Sequence, residues 1–173
     1  MLNGLVGFWE DLLIFFETGG EVLVVLFGVT FLMWTIIVER FFFLRARYPE
    51  EAATLLHGWQ GRSDKASWYA DQVKAQLCSQ VRQELTRFLP LLKTLIALCP
   101  LLGLLGTVTG MIEVFDVMAI SGSGNPRAMA SGVSRATVPT MAGMVAALSG
   151  VYFSARLNRL TQKETRLFQD QLG

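Results

Sequence analysis

Thr107 and Thr140 put hydroxyl groups inside two different uncharged, apolar runs of this chain. Thr107 stands among Gly103, Gly106 and Gly110; Thr140 follows Thr137 and precedes Ala142 and Ala146. A hydroxyl in such a run has two uses. It can bond a carbonyl one turn back in its own helix, or it can join others at the same depth to line a polar path. Just beyond the first run, Glu113 and Asp116 lie one turn apart. In an oligomer such acids would ring a mouth and concentrate cations; alone they are a solvated helix end, and that reading suits Asp116 best.

The elements that must carry these residues are legible from where charge is missing. Of 173 residues, 52% are hydrophobic and only 17% charged, against roughly a quarter charged in a soluble domain. Uncharged runs cover 22–38, 94–112 and 136–155, which is 17, 19 and 20 residues. Each approaches the ~20 residues that cross a hydrocarbon core of ~30 Å as a helix. Phe41, Phe42 and Phe43 prolong the first run past Arg40. On these runs Thr107 lies ~6 Å from the centre of the second span and Thr140 ~8 Å from the centre of the third, at 1.5 Å per residue. The spans run in opposite directions, so both displacements point to the same side. Thr109 lies about 200° around the helix from Thr107, at 100° per residue, and does not share its face.

Small residues accompany the hydroxyls. Gly106 and Gly110 form a G-x-x-x-G pair with Gly103 on the same side, and Ala142, Ala146 and Gly150 form a ridge on the third span, with Gly143 and Ala147 beside it. Such ridges let helices approach closely in lipid, where packing replaces the hydrophobic effect as the driving force. Pro100 and Pro139 interrupt the second and third spans, freeing carbonyls that can kink a helix or face a cavity.

Basic residues orient the spans. Nine Lys or Arg fall between Arg40 and Lys93 and four from Arg156 onward. None falls in the first 21 residues, which hold four acids, and the short loop before the third span holds only Arg127 and Arg135. The positive-inside rule then sets the N-terminus outside and the C-terminus inside. The expected organisation is an N-terminal helix (1–20), a first span (21–44), a cytoplasmic helical loop (45–92), a second span (93–115), a short outer loop (116–134), a third span (135–156) and a cytoplasmic helical tail (157–173). The fold class is an all-α membrane protein whose second and third helices project into the cytoplasm. Leu2, Leu5, Val6, Trp9, Leu12, Leu13 and Phe16 keep helical spacing. They mark either an amphipathic helix on the outer surface or a continuation of the first span. Trp68, Val73, Leu77, Val81 and Leu85 share one side of the inner loop, and Leu157, Leu160, Leu167 and Phe168 one side of the tail. In "SGSGNP" (121–126), Asn125 suits an N-cap and Pro126 a first helical position.

Several function classes fit poorly. His57 is the only histidine, and Cys78 and Cys99 sit in a polar and an apolar segment, so neither a metal site nor a disulfide is expected. No nucleophile–base pair or phosphate loop marks an enzyme, no cofactor is indicated, and composition argues against nucleic-acid binding. The N-terminus carries no Lys or Arg before its first apolar run, against a cleaved signal peptide. No Asp, Glu, Lys or His falls within a span. A proton route through these helices would therefore draw its titrating group from a partner.

"PLLGLLGTVTGMIEVF" (100–115), a short loop and "GVSRATVPTMAGMVAALSGVYF" (132–153) together resemble the MotA/TolQ/ExbB proton-channel family, as does "ERFFFLR" (39–45) after the first span. The resemblance extends over nearly the whole chain and is closest to short ExbB-type subunits of TonB systems. It implies a homopentamer whose second and third helices line a central pore. An ExbD-like single-span partner would supply the proton-carrying aspartate, and proton flow would drive a TonB-like protein in the bacterial inner membrane for uptake of siderophores or cobalamin. A TolQ-like role in Tol-Pal envelope constriction is the alternative within the family, and a non-conducting membrane scaffold the alternative outside it. By position, Thr107 and Thr140 fall on the family's two pore threonines. The family often carries glutamate where Arg135 stands, so no role resting on an acid there transfers.

Overall fold

A computed structural model describes residues 2–62, 64, 67–121 and 126–172, with side chains described over 20–62, 64, 67–120 and 129–172. The described chain is helical throughout. Helix α1 spans Leu2–Phe42 and passes through a π-helical turn, Phe43–Arg47, into α2, Tyr48–Gln60; α3 is Trp68–Thr86, α4 is Leu89–Ser121 and α5 is Pro126–Gln171. Among the described residues, three stretches are long and apolar enough to cross a membrane: Gly20–Gln60, Trp68–Ile120 and Met129–Gln171. At 1.5 Å per residue the 46 residues of α5 extend ~69 Å, about twice the hydrocarbon thickness. Pro126 does open α5; Asn125 lies outside the described residues.

Contacts divide the chain into two units, 1–33 with 94–150 and 34–93 with 151–173. In the first, α1 packs on the α4–α5 pair. Val22 of α1 lies at the level of Gly106, whereas Met33 and Ile96 both meet Gly150. The two levels show α1 running antiparallel to α4 and parallel to α5. Leu23, Leu26 and Met33 are the buried residues of α1 here, at spacings of three and seven that keep one helical face inward. The kink at Gly20 (φ 65°, ψ −166°) divides α1. The side chains of 1–19, on which the amphipathic expectation rests, lie outside the described residues.

The second unit has its own core of Tyr48, Trp59, Ala70, Val81, Leu85, Phe168 and Leu172, with Val73 and Leu77 packed against it. Ser67 caps α3 by accepting the Ala70 N–H at 3.2 Å, satisfying one of the donors a helix start leaves free. The expected apolar side of this segment holds for Val81 and Leu85, but Trp68 is 76% exposed. Ala70 lies on the face of Val81 and is fully buried in the same core, whereas Trp68 stands about 140° around the helix from Val81, at 100° per residue, and so falls off that face. In the tail, Leu157 and Phe168 are buried while Leu167 is exposed. One step around the helix, 100°, separates the last two.

Candidate functional site

The glycines of α4 and residues 136–140 of α5 meet at successive turns. A Cβ on Gly103 would stand 2.9 Å from the Thr140 Cα and 3.0 Å from the Pro139 carbonyl oxygen. One on Gly106 would collide with the Pro139 ring, and one on Gly110 would stand 2.8 Å from the Ala136 Cβ. Farther along, a Cβ on Gly143 would stand 2.5 Å from the Cys99 carbonyl oxygen, and one on Gly150 would stand 2.5 Å from the Met33 sulfur. At Gly103, Gly110 and Gly143 the opposing atoms include backbone, which cannot turn aside, so only glycine allows that approach; at Gly106 and Gly150 it is side chains that fill the space.

Within the first unit the buried stripe of α5 consists of Ala136, Pro139, Gly143, Ala147 and Gly150. Ala142 and Ala146 lie beside that stripe, half-buried. Pro139 matters more than its sequence context indicates: its ring fills the notch that Gly106 leaves. The recurring spacing of three and four along 136, 139, 143, 147 and 150 is the signal that distinguishes this stripe from its neighbour.

The hydroxyls divide by what they bond. Thr107 Oγ1 donates to the Leu104 carbonyl at 2.7 Å and Thr137 Oγ1 to the Ser134 carbonyl at 2.8 Å, both within their own helices. Thr109 does the same with Gly106 at 3.1 Å. Thr140 instead crosses to the neighbouring helix, donating to the Gly103 carbonyl at 2.8 Å. Gly103 therefore supplies both the space and the acceptor for Thr140. Because Thr140 meets α4 at Gly103, it stands four residues, ~6 Å, from Thr107 along that helix. Both threonines are half-buried and Thr137 is exposed.

At one end of this unit, Glu113 joins Glu21, Thr109, Ser131 and Arg135 in lining a cavity of about 570 Å³. Asp116 is exposed. Among the described residues no group of three or more His, Cys, Asp or Glu is placed to hold a metal.

A residue of the second unit escaped the sequence argument. Arg40 is only 4% exposed; its Nη1 donates to the Glu84 carbonyl at 3.0 Å, and its Nε lies 3.2 Å from Glu39 Oε2. The guanidinium also lies 4.3 Å from the Phe88 ring centroid and 5.1 Å from that of Phe43. Glu84 sits in the last turn of α3, where carbonyls have no partner of their own. Arg40 thus ties the end of α1 to the end of α3. In the sequence it is only the charge that follows an apolar run.

A model of the MotA/TolQ/ExbB proton channel family matches residues 50–170. The putative biopolymer transport protein ExbB-like 3 of Synechocystis sp. is 35% identical over 91 residues, covering 51% of this chain and 43% of that protein. The biopolymer transport protein exbB1 of Vibrio cholerae is 42% identical over 91 residues, which is 52% of this chain and 36% of the relative. The putative biopolymer transport protein ExbB-like 1 of Helicobacter pylori is 29% identical over 98 residues, which is 57% of this chain and 52% of the relative. The chain thus spans about half, or less, of the length of these curated relatives. No solved structure matches it.

Proposed function

The chain belongs to the MotA/TolQ/ExbB proton channel family, and from that membership we propose that it is the channel-and-scaffold subunit of a proton-driven motor in the bacterial inner membrane. Together with its three apolar helices, the family marks it as a multi-pass membrane protein. An ExbD-like single-span partner supplies the titrating aspartate, and the work is delivered to a TonB-like protein that energises outer-membrane uptake. The N-terminus faces the periplasm and the C-terminus the cytoplasm, as the basic residues indicate.

One observation carries the reading. Two helices without a charged residue over 94–112 and 136–155 pack closely on each other, and between them they carry Thr140, bonded to Gly103 of the facing helix, and Thr107, ~6 Å farther along α4. Polar groups at that depth serve a polar cargo, and the absence of an ionisable group explains the need for a partner. The pentameric assembly is taken from the family resemblance; on a single chain Leu101, Leu104, Val108, Val145 and Leu148 are left exposed. These face lipid or further copies. The names of the relatives, all ExbB-like, favour TonB-linked uptake over a TolQ-like role.

The test is proton flux in vesicles holding both subunits, alongside siderophore-dependent growth. Thr107→Val and Thr140→Val keep shape and remove the hydroxyl. Each should lower flux about fivefold or more, the equivalent of one hydrogen bond of about 1 kcal/mol; the amount of assembled protein should be unchanged in Thr107→Val, whereas Thr140→Val also removes a contact between α4 and α5, so its flux is expressed per assembled complex. Undiminished flux and growth in both variants would mean that these threonines do not line the path. Absence of flux in the unaltered complex would leave an anchoring scaffold.

A further inference from the structure

Glu21, Glu113 and Arg135 bring two acids and one base to a single cavity of about 570 Å³, one from each of α1, α4 and α5. No ion pair joins any of the three to another described residue. Each stands just beyond the uncharged run of its helix, about ten residues or ~15 Å from the centre of that run. That is half of a ~30 Å hydrocarbon core. Because α1 runs antiparallel to α4 and parallel to α5, the three charges lie at the same end of the unit. They line the cavity at the depth where hydrocarbon gives way to headgroups. Toward the middle of the spans the same cavity is lined by Val22, Gly106, Val114 and Pro139. It is charged at the interface and apolar below, and its charges are of both signs.

We propose that this cavity binds the phosphoethanolamine headgroup of a phospholipid. A primary ammonium has three N–H groups to give, and Glu21 and Glu113 accept them. Thr109 adds an acceptor: its own proton goes to the Gly106 carbonyl at 3.1 Å, which leaves its lone pairs for the ligand. The planar fork of Arg135 takes the phosphate, and the apolar wall takes the glycerol and the first methylenes of the chains. The same residues discriminate between headgroups. Choline has no N–H to donate and is held instead over aromatic faces; among the described residues no aromatic side chain lines the cavity. A glycerol headgroup brings the phosphate without the ammonium, and the two carboxylates outnumber the one guanidinium that would attract it. The site needs no proton passage, and under the proposed topology it lies in the outer leaflet.

The protein, purified in detergent with the partners that stay on it and stripped of lipid, is titrated with dioctanoyl phosphatidylethanolamine, phosphatidylcholine and phosphatidylglycerol. Native mass spectrometry counts the bound lipid. Phosphatidylethanolamine should bind about tenfold or more tighter than either of the others, the worth of one charge-assisted hydrogen bond. Replacing both acids, Glu21→Gln with Glu113→Gln, should erase its preference over phosphatidylcholine. Arg135→Gln should weaken both about tenfold and keep their order. Asp116→Asn, at an exposed acid outside the cavity lining, should change nothing. Circular dichroism checks that each variant keeps its helices. Equal affinities for the three lipids in the unaltered protein, a reading that needs no variant, would overturn the proposal, as would tighter binding of phosphatidylglycerol. Displacement of the lipid by an equal concentration of free phosphoethanolamine would make the occupant a soluble molecule and overturn it too. Proton flux enters none of these measurements, so failure of the channel reading and failure of the lipid site are seen separately.

Discussion

Gly143 shows how much one missing methyl group controls. Both atoms that press on its would-be Cβ most closely are backbone, the Cys99 carbonyl oxygen at 2.5 Å and the carbonyl carbon behind it at 3.3 Å. Backbone cannot turn aside as a side chain can. Gly143→Ala must therefore part α4 from α5, and it should lower stability by about 1–3 kcal/mol. Gly28 is the control: a Cβ there meets nothing within 4 Å, so Gly28→Ala should fall within about 0.5 kcal/mol of the parent. Unfolding of both variants by sodium dodecyl sulfate, followed by circular dichroism, measures the difference. Equal stability would place the close approach elsewhere. Thr140 belongs to the same crossing, so its loss weakens a helix contact as well as a path, whereas the loss of Thr107 is confined to its own turn.

Helix α1 depends on two irregular points. Gly20 adopts φ 65°, a conformation that side chains with a Cβ adopt only under strain. Space is not the obstacle, since nothing lies within 4 Å of a Cβ there. Gly20→Ala should cost about 1–2 kcal/mol or straighten the helix, and faster amide hydrogen exchange over 18–22 would separate the first outcome from the second. At the other point, the Tyr48 N–H bonds the Phe43 carbonyl five residues back. That widened turn advances the helical phase by about one residue, 100°, just before Pro49, which has no N–H to offer. Tyr48 consequently turns into the core of the second unit, where its hydroxyl donates to the Glu164 carbonyl at 3.4 Å.

For the molecule as a whole, the two native cysteines test the proposed direction of the chain. Cys78 is half-buried in α3 and Cys99 fully buried in α4, and both are free thiols. A membrane-impermeant maleimide should label Cys78 in inverted inner-membrane vesicles and leave it untouched in intact spheroplasts. Cys99 should react only after denaturation. Labelling of Cys78 from outside would reverse the proposed topology and with it the side on which Glu113 lies.

That the chain crosses a membrane was legible in the sequence, because hydrocarbon excludes charge and the three runs without Asp, Glu, Lys or Arg are long enough to cross it; the channel family was legible only in the resemblance of 100–115 and 132–153 to its motifs. The close helix packing at Gly103, Gly106 and Gly110 was legible in kind, since small residues at four-residue spacing have few other uses in lipid. What covers each of them was not. Which of two adjacent α5 stripes turns inward, 142–146–150 or 143–147–150, depends on where α4 and α1 lie, and a 100° difference in phase is not written in residue size alone. Whether a threonine bonds its own helix or the next one was likewise open. Tertiary structure decided it: Thr140 reaches across because Gly103 brings a carbonyl within 2.8 Å, while Thr107 has its carbonyl one turn back. Arg40 was decided the same way, since its partners at Glu84 and Phe88 lie more than forty residues away and only folding brings an unpaired helix end to an arginine.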